Sequence, residues 1–321
     1  MELHINPPDA IKTLECLNVC FPGWGDGRSF EWAYRRAIHD QPAPDYVVLS
    51  EGSEIVAGSG ITYRQLLLPD AAAITVGIMT GSWTLPAARG RGCFTRMIEE
   101  SIRLTNLRGG TLLLAFVTHD NPSCRQLQKS GAAQFVTSYL SSQSCLSVST
   151  RDFDFSETPT VSEQMVHRWT TARSAFVRFG YSSLVDWYLQ FIHRPTRPLV
   201  LEGSDGFALL EEKSNTYRVL AYLNPEAAAD VGFLNVLLSF AQKRGKPLSL
   251  FSTDETLAQE CRALGFLAKR GFITAHVVNW KKLADALLLP PPNTALPHSV
   301  IADPVGAWFL GNWRLQSGDR M

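Results

Sequence analysis

The stretch Thr80 to Met97, TGSWTLPAARGRGCFTRM, constrains this chain more than any other. A run of β-forming residues enters Arg-Gly-Arg-Gly and passes directly into an amphipathic helical pattern. The first N–H groups of a helix have no partner within it, so they point at whatever fills the preceding loop. The helix dipole adds partial positive charge, Gly90 and Gly92 let the backbone approach closely, and Arg89 and Arg91 supply full charges. The natural guest of such a cradle is a pyrophosphate. A surface turn that happens to carry two arginines is the bland alternative, and the order strand, glycines, arginines, helix argues against it.

The segments around this loop follow a regular plan. Ile11, Leu14 and Leu17 share one face behind Asp9, predicting a helix over 9–20, and Phe30, Ala33, Tyr34 and Ile38 predict a second one reaching about residue 40. The period then changes to that of strands at 46–50, 54–68 and 72–85, joined as hairpins. After the loop, Met97, Ile98, Ile102 and Leu104 continue the helix until Gly109-Gly110, Leu112 to Val117 reads as a buried strand, 122–130 as a helix and 134–148 as a strand.

The second half repeats the end of this plan. At an offset of 134 residues Gly131 falls on Gly265, Asp120 on Asp254 and the strand LLLAFVT on LSLFS, the signature of a duplicated unit. Strands over 199–201, 206–211 and 217–223, a helix over 233–243 and a closing strand over 272–280 complete it. The expected organisation is a first domain over 1–150, a polar linker over 151–169, a degenerate second copy over 170–289 and a proline-led tail over 290–321. Trp308, Phe309 and Trp313 make that tail too apolar to stay solvated, so it is expected to dock. The second copy lacks the cradle: Leu223, Asn224, Pro225 and Glu226 stand where the arginines and glycines were, and Glu226 and Asp230 put carboxylates at the helix start.

Thirty basic and thirty acidic side chains balance over 321 residues, and each half lies within one charge of neutral, which disfavours a nucleic-acid surface. The first ten residues contain two acids, two prolines and no apolar run, and no stretch reaches the ~20 apolar residues that span a bilayer. Six cysteines without a CxxC pair read as reduced thiols, with no metal site expected; Cys16 and Cys20, four apart, suit core packing. A cytoplasmic protein without membrane contact is therefore expected.

The two helices followed by three strands, the strand–RGRG–helix unit and the later THDNPSCRQLQKSGA together resemble the GNAT N-acetyltransferase superfamily, and the duplication resembles its tandem members. The family loop Arg/Gln-x-x-Gly-x-Gly/Ala is matched by Arg89 and Gly92. Phe94 takes the last position, as in subfamilies with Gly-x-Phe-Ser/Thr, which Gly92, Cys93, Phe94 and Thr95 fit. The resemblance implies an α/β (α+β) fold of two GNAT-like domains, each a mixed, mostly antiparallel sheet with a splayed central strand pair flanked by helices. It implies acetyl-CoA or another acyl-CoA as co-substrate, its pyrophosphate on the amides of Arg89, Gly90, Arg91, Gly92, Cys93 and Phe94 near the Thr95 hydroxyl. The backbone of Trp83, Thr84 and Leu85 would pair with the pantetheine amides, and Asn121 would face that arm, although a helix cap explains Asn121 equally well.

Catalysis is less sharply implied. The Tyr that many relatives carry four residues before the Gly closing the helix is Leu127 here, and the strand over 74–84 has no acidic residue. Asp120, His119 and Ser123 are the nearest groups able to move a proton at the splay, with structural hydrogen bonding as the alternative role. The expected activity is transfer of an acyl group, acetyl by default, from a CoA thioester to the amine of a small molecule. An aminoacyl-tRNA donor and a non-catalytic CoA-binding module are the alternatives, and a homodimer is left open. The glycine-rich loop 21–28 around Trp24 lies where this family covers the acceptor; Trp24 suits a substrate stack or an aromatic plug.

Overall fold

The computed structural model describes residues 1–321 except 8, 39, 70–71, 144–155, 204–205, 225–229, 289–312 and 321. The first half comprises β1 (Glu2–Ile5), α1 (Ala10–Cys20), α2 (Gly27–Tyr34), β2 (Asp45–Glu51), β3 (Glu54–Leu67), β4 (Ala73–Thr84), α3 (Cys93–Leu107), β5 (Leu112–Thr118), α4 (Pro122–Lys129) and β6 (Ala133–Ser141). The second comprises β7 (Ser156–Thr158), α5 (Glu163–Ala172), β8 (Arg178–Gly180), α6 (Leu184–Phe191), β9 (Leu199–Glu202), β10 (Phe207–Glu212), β11 (Tyr217–Leu223), α7 (Asp230–Lys243), β12 (Leu248–Ser252), α8 (Glu255–Ala263), β13 (Leu267–Val277) and α9 (Trp280–Ala286). Asp9 and Asp26 cap α1 and α2 by accepting the Lys12 and Ser29 amides, and Asp254 caps α8 in the same way. The short elements β1, β7, β8, α5, α6 and α9 had no counterpart in the sequence reading.

One continuous sheet runs through both halves in the order β1-β2-β3-β4-β5-β13-β6-β12-β11-β10-β9-β7, with β8 pairing on β3. Its centre is an exchange of strands. β13, from the second half, lies between β5 and β6, while β6, from the first half, lies between β13 and β12. The hydrophobic cores are exchanged with the strands: Phe272 of β13 packs with Met97, Leu104 and Leu113 under α3, and Leu140 of β6 packs with Leu237, Leu257 and Cys261 under α7 and α8. Each such buried side chain contributes on the order of 2 kcal/mol, so neither half completes its core alone.

Among the described residues the sheet has two parallel pairs, β4 with β5 and β11 with β12, and both open part-way. β4 and β5 pair from Val76 opposite Leu112 to Met79 opposite Ala115, after which β4 continues to Thr84 and β5 to Thr118 without pairing each other. A one-residue bulge in β4 marks the divergence, since Gly60 faces Thr80 but Gly58 faces Trp83. The bulge is built on Gly81, whose φ is +55° and where a Cβ would stand 1.8 Å from the Tyr34 hydroxyl, so only glycine fits. α3 and α4 cover one face of the first half, and α1 and α2 cover the other through Leu17, Phe30 and Tyr34. Trp313 of the tail is buried beside Phe135 and Val177; Trp308 and Phe309 lie outside the described residues.

Candidate active site

The opening between β4 and β5 is a cavity of about 850 Å³. On one side stands β4 with Ser82, Trp83 and Thr84. The loop follows with Arg89, Gly90 and Gly92, then the first turn of α3 with Cys93, Phe94 and Thr95, and beyond β5 come Asp120, Asn121 and Ser123. Eleven of the residues singled out from sequence thus line one space. Leu85, Arg91 and His119 are not among its walls: the Leu85 amide donates to the Val56 carbonyl, Arg91 turns to Glu51, and the exposed His119 ring lies 6.0 Å from Phe272.

The loop has the properties an anion needs. Gly90 and Gly92 adopt φ of +76° and +77° with no atom within 4 Å of a built Cβ, so backbone conformation, not crowding, requires glycine there. Gly92 is the N-cap of α3, no side chain caps the helix, and its first turn holds no acid. The leading amides therefore face the cavity uncompensated, with the positive end of the helix dipole behind them. Arg91 forms a bidentate pair with the Glu51 carboxylate on the surface, which draws Glu51 below the usual carboxylate range and spends much of the arginine's charge. The Arg89 Nε donates to the Thr84 carbonyl at 3.4 Å, and Arg89 has no carboxylate partner among the described residues. Thr95 accepts the Gln126 amide at 2.7 Å, tying the start of α3 to α4.

At the far wall Asn121 is the N-cap of α4, its Oδ1 accepting the Ser123 amide at 2.9 Å, which leaves its NH2 group to donate elsewhere. Asp120 is exposed and meets Lys269 at 2.8 Å; hydrogen bonds from Lys269 and then Thr118 hold its carboxyl below the ordinary range. Lys269 and Ser82 were not anticipated. Lys269 reaches the cavity only because β13 crosses into the first half, and Ser82, paired with the Ser59 hydroxyl at 2.7 Å, sits on the bulge. Trp24 stacks on Tyr34 with ring centroids 5.6 Å apart, so in this conformation it plugs the packing of α1 on α2.

The second opening is narrowed by the tail to a cavity of about 350 Å³, with Arg314, Leu315 and Gln316 among its walls. Leu114 pairs with Ile78, and its repeat mate Leu248 pairs with Tyr217; Trp83 and Tyr222, each five residues further on, are therefore equivalent. The first cavity meets Trp83, but in the second half Gln316 of the tail both accepts the Tyr222 amide (3.1 Å) and donates to its carbonyl (3.2 Å). Across the gap the Ser317 hydroxyl accepts the Phe251 amide at 2.9 Å. Glu226 and the Asp230 side chain lie outside the described residues.

No helix among the described residues is long and apolar enough to cross a membrane, and none of their His, Cys, Asp or Glu side chains cluster as a metal site. No protein-family model matches the chain, and no curated protein matches it. Solved structures do. A tandem GNAT protein from the clavulanic acid biosynthesis pathway superposes with a TM-score of 0.57 at 12% identity, covering 87% of this chain and 99% of its own. A GCN5-related N-acetyltransferase from Kribbella flavida gives 0.54 at 13%, covering 86% and 71%, and one from Sphaerobacter thermophilus gives 0.53 at 13%, covering 86% and 96%. With its splayed strand pairs, flanking helices and exchanged central strands, this chain has the fold of the GNAT N-acetyltransferases in its tandem form.

Proposed function

We propose that the protein is an acyl-CoA-dependent N-acyltransferase acting on the amine of a small molecule, with one donor site, in the first half. The observation that carries this reading is the uncapped α3 N-terminus facing the cavity between β4 and β5. The amides from Gly92 to Thr95, with Arg89 and the dipole of α3, would hold the pyrophosphate. The free backbone edge at Trp83 and Thr84 would pair with the pantetheine amides, and Asn121 would donate to that arm from the other side. The thioester then lies near the bulge at Ser82.

In the reaction the amine nitrogen bonds to the thioester carbon, the C–S bond breaks, and the sulfur leaves as thiolate. A proton must come off nitrogen. Asp120 and His119 are the proposed acceptors, and Ser123 a relay to the thiolate. Lys269 keeps Asp120 ionised but weakens it as a base, so Asp120 would act through water on an ammonium that is itself acidified as it loses solvent. Titration with acetyl-CoA, longer acyl-CoAs and aminoacyl-tRNA tests the assignment: saturable binding of an acyl-CoA supports it, and binding of aminoacyl-tRNA without any acyl-CoA would replace it.

A further inference from the structure

Another cavity, of about 330 Å³, adjoins the donor cleft on the sheet face away from α3 and α4. Two rows of paired residues make its floor. Leu267, Ser141, Ser249 and Arg218 lie side by side across β13, β6, β12 and β11, and Lys269, Tyr139 and Phe251 form the neighbouring row. The tail closes it with Ser317 and Arg320.

Its walls carry three cations, Arg218, Lys269 and Arg320, four hydroxyls, Tyr139, Ser141, Ser249 and Ser317, and no carboxylate. Two of these cations already meet a carboxylate, Lys269 with Asp120 at 2.8 Å and Arg218 with Glu211 at 3.4 Å, although Glu211 is shared with Arg194 and Lys213, each at 3.3 Å; Arg320 meets no carboxylate among the described residues and is the cation left for an anion. Arg320 lies over the rings of Tyr139 and Phe251, at 4.8 and 4.7 Å, and its buried Nε has no hydrogen-bond acceptor among the described residues. Burial lowers the Arg320 pKa, with Arg218 adding to it and Tyr139 and Glu211 only partly opposing it, and a bound anion would offset the burial.

Lys269 lines both cavities. Gly271 faces Thr118, a wall of the donor cleft, and at about 3.3 Å per residue the rows of Lys269 and Leu267 lie roughly 7 and 13 Å further out. We infer that this cavity binds the acidic end of the acceptor, which is an amine joined through a spacer of roughly 7–13 Å to a carboxylate or phosphate. The inference rests on the acyl-CoA reading only for the fate of the amine; the anion site stands on its own walls.

The test uses three probes of one length: hexylamine, 6-aminohexanoate and 6-aminohexyl phosphate, titrated calorimetrically into the whole protein with and without CoA. At least one anionic amine should bind ten times more tightly than hexylamine or better, and the tighter of the two identifies the oxyanion. Arg320→Gln should erase most of that preference, and Ser249→Ala should reduce it in a second variant should Arg320→Gln fail to fold. Three equally weak probes on the parent protein would overturn the proposal even where acetyl-CoA binds normally. Preference for the anionic amines without any acyl-CoA binding would keep the pocket and overturn the donor reading instead.

Discussion

Thr137 and Gly271 face each other across the antiparallel pair of β6 and β13, and they stand 134 residues apart, the repeat offset itself. The pair is therefore the pseudo-two-fold centre of the molecule. Strands β5 and β12 flank it with registers that agree within one residue: Thr118 faces Gly271, and Ser252 faces Ser138. Exchange about this centre makes each half the source of the other's central strand.

The first prediction follows from that exchange. Residues 1–150 produced alone should lack a native sheet, because β5 keeps β4 but loses β13, its antiparallel neighbour, and Phe272 leaves the core beneath α3. Co-production with residues 151–321 should restore a soluble complex. Size exclusion and amide exchange check this, and a stable, protected monomer of the first half would refute it. Gly271→Val tests the centre directly: a Cβ there meets the Tyr139 ring at 2.3 Å and the Val117 carbonyl at 2.8 Å, so a loss of roughly 1–3 kcal/mol is expected in denaturant titrations.

Donor binding should separate two neighbouring arginines. Arg89→Ala should weaken CoA about ten- to a hundredfold, the worth of one charge-assisted contact, whereas Arg91→Ala should cost several-fold less because Glu51 already engages Arg91. Gly92→Glu places a side chain and a negative charge at the N-cap and should abolish CoA binding with the fold retained. Calorimetry decides, and unchanged affinity in folded Gly92→Glu would remove the acyl-CoA reading.

Stoichiometry should be one CoA per chain. Gln316 and Ser317 already satisfy the backbone of Tyr222 and Phe251 at the second opening, so a second pantetheine would have to displace the tail. Two equivalent binding events in a titration would contradict this.

Much of this plan was legible because it is local. The periods of α3, β3 and β4 and the glycines of the loop are set by residues adjacent in sequence, and the structure keeps them within a residue or two. The repeat announced two units but not their exchange, since nothing in residues 267–277 shows whether they complete their own half or the other. Lys269 was invisible for the same reason: its place beside Asp120 depends on pairing across about half the chain. β1 and β7 are too short to show a period.

Acid should loosen the exchanged strand. His276 of β13 is buried against Ser130, 2.9 Å away, and burial pushes its imidazole below the ordinary value despite that partner. The folded protein thus favours the neutral ring, and the unfolded chain takes up the proton first. This contribution is whole above the unfolded value of about 6.5 and is lost as pH falls from there toward the folded value. His276→Gln keeps a hydrogen bond to Ser130 without titrating, so its stability between pH 7 and 5 should fall less steeply than the parent's. Parallel curves would show that His276 plays no part.

The catalytic assignment is tested last because it needs an acceptor in hand. An alkylamine with a pKa of about 10.4 is neutral in roughly four molecules per ten thousand at pH 7, so deprotonation limits the reaction more than release of a thiolate, whose thiol has a pKa of about 8.5. Leu127, where relatives place an acid, is buried, so it leaves the thiolate to Ser123 or solvent. Asp120→Asn or His119→Ala should therefore lower kcat by ~10²-fold with acyl-CoA affinity nearly unchanged, and Leu127→Tyr should be unnecessary for activity. Asp120→Asn also unpairs Lys269, which lowers the pKa of a nearby ammonium by like-charge repulsion; the loss of rate should shrink as pH rises in both variants, and from a lower pH in Asp120→Asn than in His119→Ala. Both variants turning over at the parent rate would move the base elsewhere, with Ser82 on the bulge of β4 the next group to test.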